Sequence, residues 1–211
     1  MKFDSWALGK QTMKNKISKI ISVISVAPMV ALYVLTALYL HDKNIFGGNA
    51  LWYGISLFFL TAMPLSAYRL EHVLPAYKNA GREGERKLAF IMCIAGYVLG
   101  TIVSFVFHAP LSVKMMFTSY LVSGGILALV NSLIQFKASG HACGVAGPFV
   151  VLFYLLGLKI WYIILTLIPV FWARIRMGRH TLKELVSGAV IGMGGTVITI
   201  AAFIYVSRLI I

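Results

Sequence analysis

Seven long apolar runs, parted by short polar segments, divide this chain at about residues 17–40, 50–70, 88–107, 112–136, 142–157, 160–173 and 185–207. None alternates with the two-residue period of a half-buried strand, and most approach the roughly 20 apolar residues that a helix needs to cross a bilayer. The pattern predicts an all-α, polytopic transmembrane bundle of about seven spans, or six if the short fifth and sixth runs are not both crossings. Those two runs are parted by Gly157-Leu158-Lys159. A break there makes them a hairpin that returns the chain to the side it left.

Composition leads the same way. Of the 211 residues, 60% are hydrophobic and 12% charged, with a mean hydropathy of +0.88. A soluble domain of this length has too little interior to hide so much apolar surface. The chain is read as a single integral-membrane domain over 1–211, with residues 1–16 as a polar N-terminal segment. No cleavable signal is expected, since the first eighteen residues are polar and lysine-bearing, without a short apolar core. The net charge of +13 does not imply nucleic acid, because the cations are spread over the connecting segments. Cys93 and Cys143 form no CxxC pair, so no disulfide framework is expected.

With seven spans, successive connections alternate sides. One side receives fifteen cations: five before residue 20, five between Arg69 and Lys87, Lys137, and four in 174–183. The other side receives Lys43, Lys114, Lys159 and Arg208. Setting aside the five cations at 137 and 174–183, ten still face four. The positive-inside rule then predicts a cytoplasmic N-terminus in the cell membrane, with residues 137–141 and 174–183 on that same face.

Two polar stretches interrupt the apolar pattern in the last third: KASGH (137–141) and ARIRMGRHTLKE (173–184). Each puts a histidine at the start of an apolar run, with small residues at four-residue spacing beside it: Gly140 and Gly144 for His141, Gly188 and Gly192 for His180. Such spacing lets helix backbones approach closely in a membrane. Glu184 is the only carboxylate after Glu85. If the last helix is already wound at His180, Glu184 lies on the same face and fixes the tautomer of that ring. The hairpin between the stretches can bring His141 and His180 together amid Lys137, Arg174 and either Arg176 or Arg179. Two neutral imidazoles among cations suit a multiply charged anion, and phosphate fits the forked donors of arginine and a helix N-terminus.

SGHA (139–142), followed by Arg174, five residues, His180, three residues and Glu184, resembles the type 2 phosphatidic acid phosphatase superfamily, related to bacterial acid phosphatases and vanadium haloperoxidases. The resemblance covers roughly residues 130–195, with 137–192 as the catalytic core. Ala138, Ala173 and Glu184 stand where the family writes proline, serine and aspartate, and the family's first motif is missing. KASGH and GRHT resemble a branch of membrane members with Lys-x-Ser-x-His and Gly-Arg-His-Thr. The resemblance implies His180 as nucleophile, His141 as general acid and base, and Glu184 orienting His180. It implies phosphate binding by Lys137, Ser139, Gly140, Arg174 and Arg179, with Lys137 or Arg179 standing in for the missing cation. It implies no metal and no other cofactor. The implied substrate is a lipid phosphate, such as a polyprenyl phosphate or diphosphate, phosphatidate or phosphatidylglycerol phosphate. Oligomeric state stays open.

Other polar residues have plainer readings. His41, His72 and His108 are interfacial, and Trp52, Tyr53 and Trp161 are aromatic-belt anchors. Residues 80–87, AGREGERK, read as a solvated loop. Arg176 and Lys183 are either anchors or site residues. A metal site of His141, Cys143, His180 and Glu184 competes weakly, because residues two apart on a helix point to different faces and nearby cations repel a divalent ion. The alternative in function is a non-enzymatic transporter or binding protein for an anionic lipid.

Overall fold

The computed structural model describes residues 13, 15–78 and 81–210. The remainder of the N-terminal segment read from sequence, with Lys2, Lys10 and Lys14, lies outside the described residues. Among the described residues there is no strand. The main helices are α1 (Asn15–Ile24), α2 (Ala27–His41), α3 (Ala50–Leu70), α4 (Gly81–Val106), α5 (Leu111–Leu133), α6 (Gly140–Leu156), α7 (Leu167–Arg176) and α8 (Leu182–Ile210). Among the described residues, five helical segments are long and apolar enough to cross a membrane, namely α3, α4, α5, α8 and the stretch Leu158–Arg176 that ends in α7, or six if α1 and α2 count as one span. α6 is a shorter apolar helix of 17 residues. Large apolar side chains such as Ile102, Phe107, Val190 and Ile198 face outward, as a lipid solvent allows.

Three local outcomes differ from the sequence reading. The run 17–40 is broken rather than continuous: α1 and α2 meet at 57°. Val26 is extended and Pro28 sits in the first turn of α2, where its missing N–H costs nothing but where a straight helix from α1 would lack a bond. The run 80–87 is not a loop. From Gly81 onward it forms the first turns of α4, and Gly84 and Leu88 are buried. Glu, Arg and Lys are good helix formers, and Glu83 lies in the first turn, where the helix dipole favours an acid. The last helix begins at Leu182, so His180 stands ahead of it rather than within it.

The break at Gly157 occurs as the pattern predicts. Gly157 has φ of +83°, and a 3-10 stretch over Leu158–Thr166 leads into α7. α6 is the central helix. It packs against α2, α5, α7 and α8, burying Ala142, Val145, Ala146, Phe149 and Leu152. Glycine makes the closest approaches possible: a side chain at Gly188 would overlap the Ser139 carbonyl, and one at Gly192 the Cys143 carbonyl. Likewise Gly144 faces Ala27 of α2 with no room for a Cβ. Without a hydrophobic drive between helices in lipid, such backbone proximity is where packing energy comes from.

Candidate functional site

Three short pieces of local chemistry build one end of the bundle. α7 stops in a Schellman turn. Gly178, at φ +61°, donates to the Ile175 carbonyl at 2.9 Å, while Arg179 N–H donates to the Arg174 carbonyl at 3.0 Å. A left-handed residue at this position is normally glycine, and the turn brings Arg174 and Arg179 close together. α8 starts with a capping box, Thr181-x-x-Glu184. The Glu184 N–H donates to Thr181 Oγ1 at 3.3 Å and the Glu184 carboxylate accepts from Thr181 N–H at 3.3 Å, satisfying two donors that a helix start leaves open. The same carboxylate oxygen, Oε2, lies 2.7 Å from His180 Nδ1. Glu184 therefore meets His180 by reaching back over the helix start, not along a helical face.

The third piece is residues 134–140. The Asn131 amide clamps Ala138 in both directions, accepting from its N–H at 2.8 Å and donating to its carbonyl at 3.2 Å. Ser139 N–H donates to the Glu184 carbonyl at 2.9 Å, tying this segment to the first turn of α8. The Ser139 hydroxyl accepts from Ala142 N–H at 3.3 Å and caps α6. Ser139 is fully buried.

A cavity of about 1200 Å³ opens between these pieces, and Lys137, Gly140, His141, Arg174, Arg179 and His180 all line it. Ser139 and Glu184 are not among its walls; they stand behind it, one as helix cap and one as partner of His180. Arg176 and Lys183 do not line it either, and the Lys183 ammonium lies 5.7 Å from the centre of the Phe136 ring. Among the described residues no three His, Cys, Asp or Glu side chains converge as a metal-binding group. Cys143 also lines the cavity, with its thiol 3.9 Å from the Ser123 carbonyl.

Hydrogen bonding assigns both tautomers. As a carboxylate, Glu184 only accepts, so His180 carries its proton on Nδ1 and leaves a lone pair on Nε2. Ser25 Oγ donates its one proton to the Ile21 carbonyl at 2.6 Å. The His141 Nε2 that lies 2.9 Å from that oxygen must then be the donor, so His141 is protonated on Nε2. Burial lowers the pKa of His180, and Arg174 and Lys137 add to this, while the Glu184 hydrogen bond and charge oppose it; the net direction is down from 6.5.

Residues of α1 and of the turn that follows it complete the site and were not read as functional from the sequence. Besides Ser25 on His141, the Ser22 hydroxyl accepts from Arg174 at 3.0 Å. Ser18, Ser22 and Ser25 are all buried at spacings of four and three, one helix face. That stripe inside an apolar run was the available signal. The bend at Val26 turns it toward the cavity.

No protein-family model matches this chain, and neither a curated protein nor a solved structure matches it.

Proposed function

We propose that the chain is a metal-independent lipid phosphate phosphatase working through a phosphohistidine. The observation that carries this reading is the one cavity lined by Lys137, His141, Arg174, Arg179 and His180, with His180 Nδ1 held by Glu184. In the first step the Nε2 lone pair of His180 attacks phosphorus. A P–N bond forms as the P–O bond to the lipid breaks, and His141, entering the step as the imidazolium beside the bound phosphate anion, protonates the departing alkoxide from Nε2 and becomes neutral. His141, now with a free lone pair on Nε2, next takes a proton from water. The hydroxide equivalent attacks phosphorus, the P–N bond breaks, and inorganic phosphate leaves with His180 neutral again. Lys137, Arg174, Arg179 and the N-terminal N–H groups of α6 at Gly140 stabilise charge on the equatorial oxygens. Apolar cavity walls and membrane-crossing helices favour a lipid-chain substrate. In this reading the bundle has seven spans, the N-terminus is cytoplasmic, and the site lies at the cytoplasmic face of the cell membrane.

The test is phosphate release from phosphatidate and from polyprenyl phosphates in detergent, with and without chelator. Turnover is expected to survive chelation and to vanish in His180→Ala, with an acid-labile phosphoenzyme trapped in wild type. Activity lost on chelation sinks the metal-free mechanism. Absence of release from every lipid phosphate favours the transporter of an anionic lipid.

A further inference from the structure

The cavity does not end at the histidines. It runs inward along α5 between largely apolar walls that include Met29, Leu65, Phe90 and Val151, and there it meets Ser119 and Tyr120. The Ser119 and Tyr120 hydroxyls are buried and have no hydrogen-bond partner in the protein; Ser119 is only 2% exposed. Many helical hydroxyls of this bundle bond a carbonyl one turn back, as Ser56, Thr101, Thr196 and Thr199 do; Thr118 beside Ser119 also lacks a partner but does not line the cavity. Ser119 makes no such bond, so its donor is available to the cavity. An unpaired buried hydroxyl is costly, so each of these two, on the wall of one cavity, is a place where a hydrogen-bonding group belongs.

The depth of these hydroxyls selects the group. The Cys143 thiol touches the Ser123 carbonyl, which puts Ser123 one short step inward of His141, and Ser119 lies one further turn along α5. Helix rise places Ser119 about 9 Å inward of His141. A phosphate held at the histidines, followed by a glycerol unit, its acyl carbonyl and a hydrogen bond of about 2.8 Å, covers that distance. A polyprenyl chain carries no acceptor there.

We infer that Ser119 and Tyr120 form an inner subsite that donates hydrogen bonds to an acyl ester carbonyl, making the preferred substrate an ester-linked glycerolipid phosphate. This rests on the phosphatase reading for the position of the phosphate, but binding tests it separately. Affinity of the His180→Ala protein is measured in detergent for dioleoyl phosphatidate, its dialkyl ether analogue and a polyprenyl phosphate. The ester is expected to bind about three- to tenfold tighter than the ether for each hydroxyl engaged, and Ser119→Ala with Tyr120→Phe to bring that ratio toward one. An ester-to-ether ratio near one in the parent protein overturns the subsite without needing any subsite variant. So does equal weakening of all three lipids by the two substitutions, which marks a structural role or hydroxyls that hold only water. An ester preference in binding without phosphate release from wild type keeps the subsite and rejects the phosphatase. Release with no ester preference does the reverse.

Discussion

In the proposed reaction His180 acts only while its Nε2 lone pair is free. Burial, helped by the Arg174 and Lys137 charges, holds the pKa of this ring below the ordinary 6.5, against the pull of Glu184. The sign follows: protonation destroys the nucleophile, so activity is lost as pH falls through that lowered value and is retained at pH 6.5. An acid limb of kcat/KM below pH 6.5 is therefore expected in a pH–rate profile. Glu184→Gln removes a contribution that raises the pKa, which moves the limb to still lower pH. It also removes the acceptor that sets the tautomer, at a cost in kcat on the order of 10²- to 10⁴-fold. A limb that moves upward in this variant shows that a different group titrates. His141 is tied to its surroundings differently, through the Ser25 oxygen.

At the scale of elements, the site depends on how closely α8 lies to the start of α6. Gly188 has the Ser139 backbone, not a flexible side chain, in the space a Cβ needs. Gly188→Ala must push α8 off the 138–140 segment and strain the Ser139-to-Glu184 backbone bond. Overpacking of this kind costs about 1–3 kcal/mol, so a lower melting temperature in detergent is expected together with reduced turnover. Gly194→Ala, with open space around its Cβ, is the control expected to leave melting unchanged. Equal melting of the two variants removes close packing as the reason for this glycine. Both polar stretches, the Gly157 break and the small-residue spacing were legible in the sequence because each is written in consecutive residues or at helical period. What was not legible depended on three-dimensional placement. Ser22 and Ser25 reach the site only because Pro28 bends the run that contains them, and that run reads as one span by hydropathy. Ser139 belongs to a motif that suggests phosphate contact, yet the same hydroxyl caps α6. The Thr181 capping box was readable, and it gives a better account of the His180–Glu184 pair than helical spacing does.

For the molecule as a whole, the hairpin decides how the chain sits in the bilayer. α6 rises about 25 Å over its 17 residues, somewhat less than the roughly 30 Å hydrocarbon core. Its return leg is a 3-10 stretch kinked at Ile160, followed by the ten residues of α7; past the kink, six residues at about 2 Å and ten at about 1.5 Å reach about 27 Å. By length and composition Leu158–Arg176 is able to cross, and α6, surrounded by other helices, needs no full lipid match of its own. A crossing hairpin puts Lys159, which is exposed, on the side opposite the cavity mouth. A re-entrant one leaves it inside the membrane. Single cysteines at Glu83→Cys and Lys159→Cys, in a chain with Cys93 and Cys143 replaced by alanine, distinguish these cases with an impermeant thiol reagent on intact cells. Position 159 is expected to label from outside, and position 83, beside the cavity mouth, only after permeabilisation. Labelling of 83 in intact cells inverts the orientation and moves the phosphate chemistry to the outer face. If 159 labels under neither condition while 83 labels after permeabilisation, the hairpin is re-entrant, and the cationic end stays cytoplasmic with five crossings instead of seven.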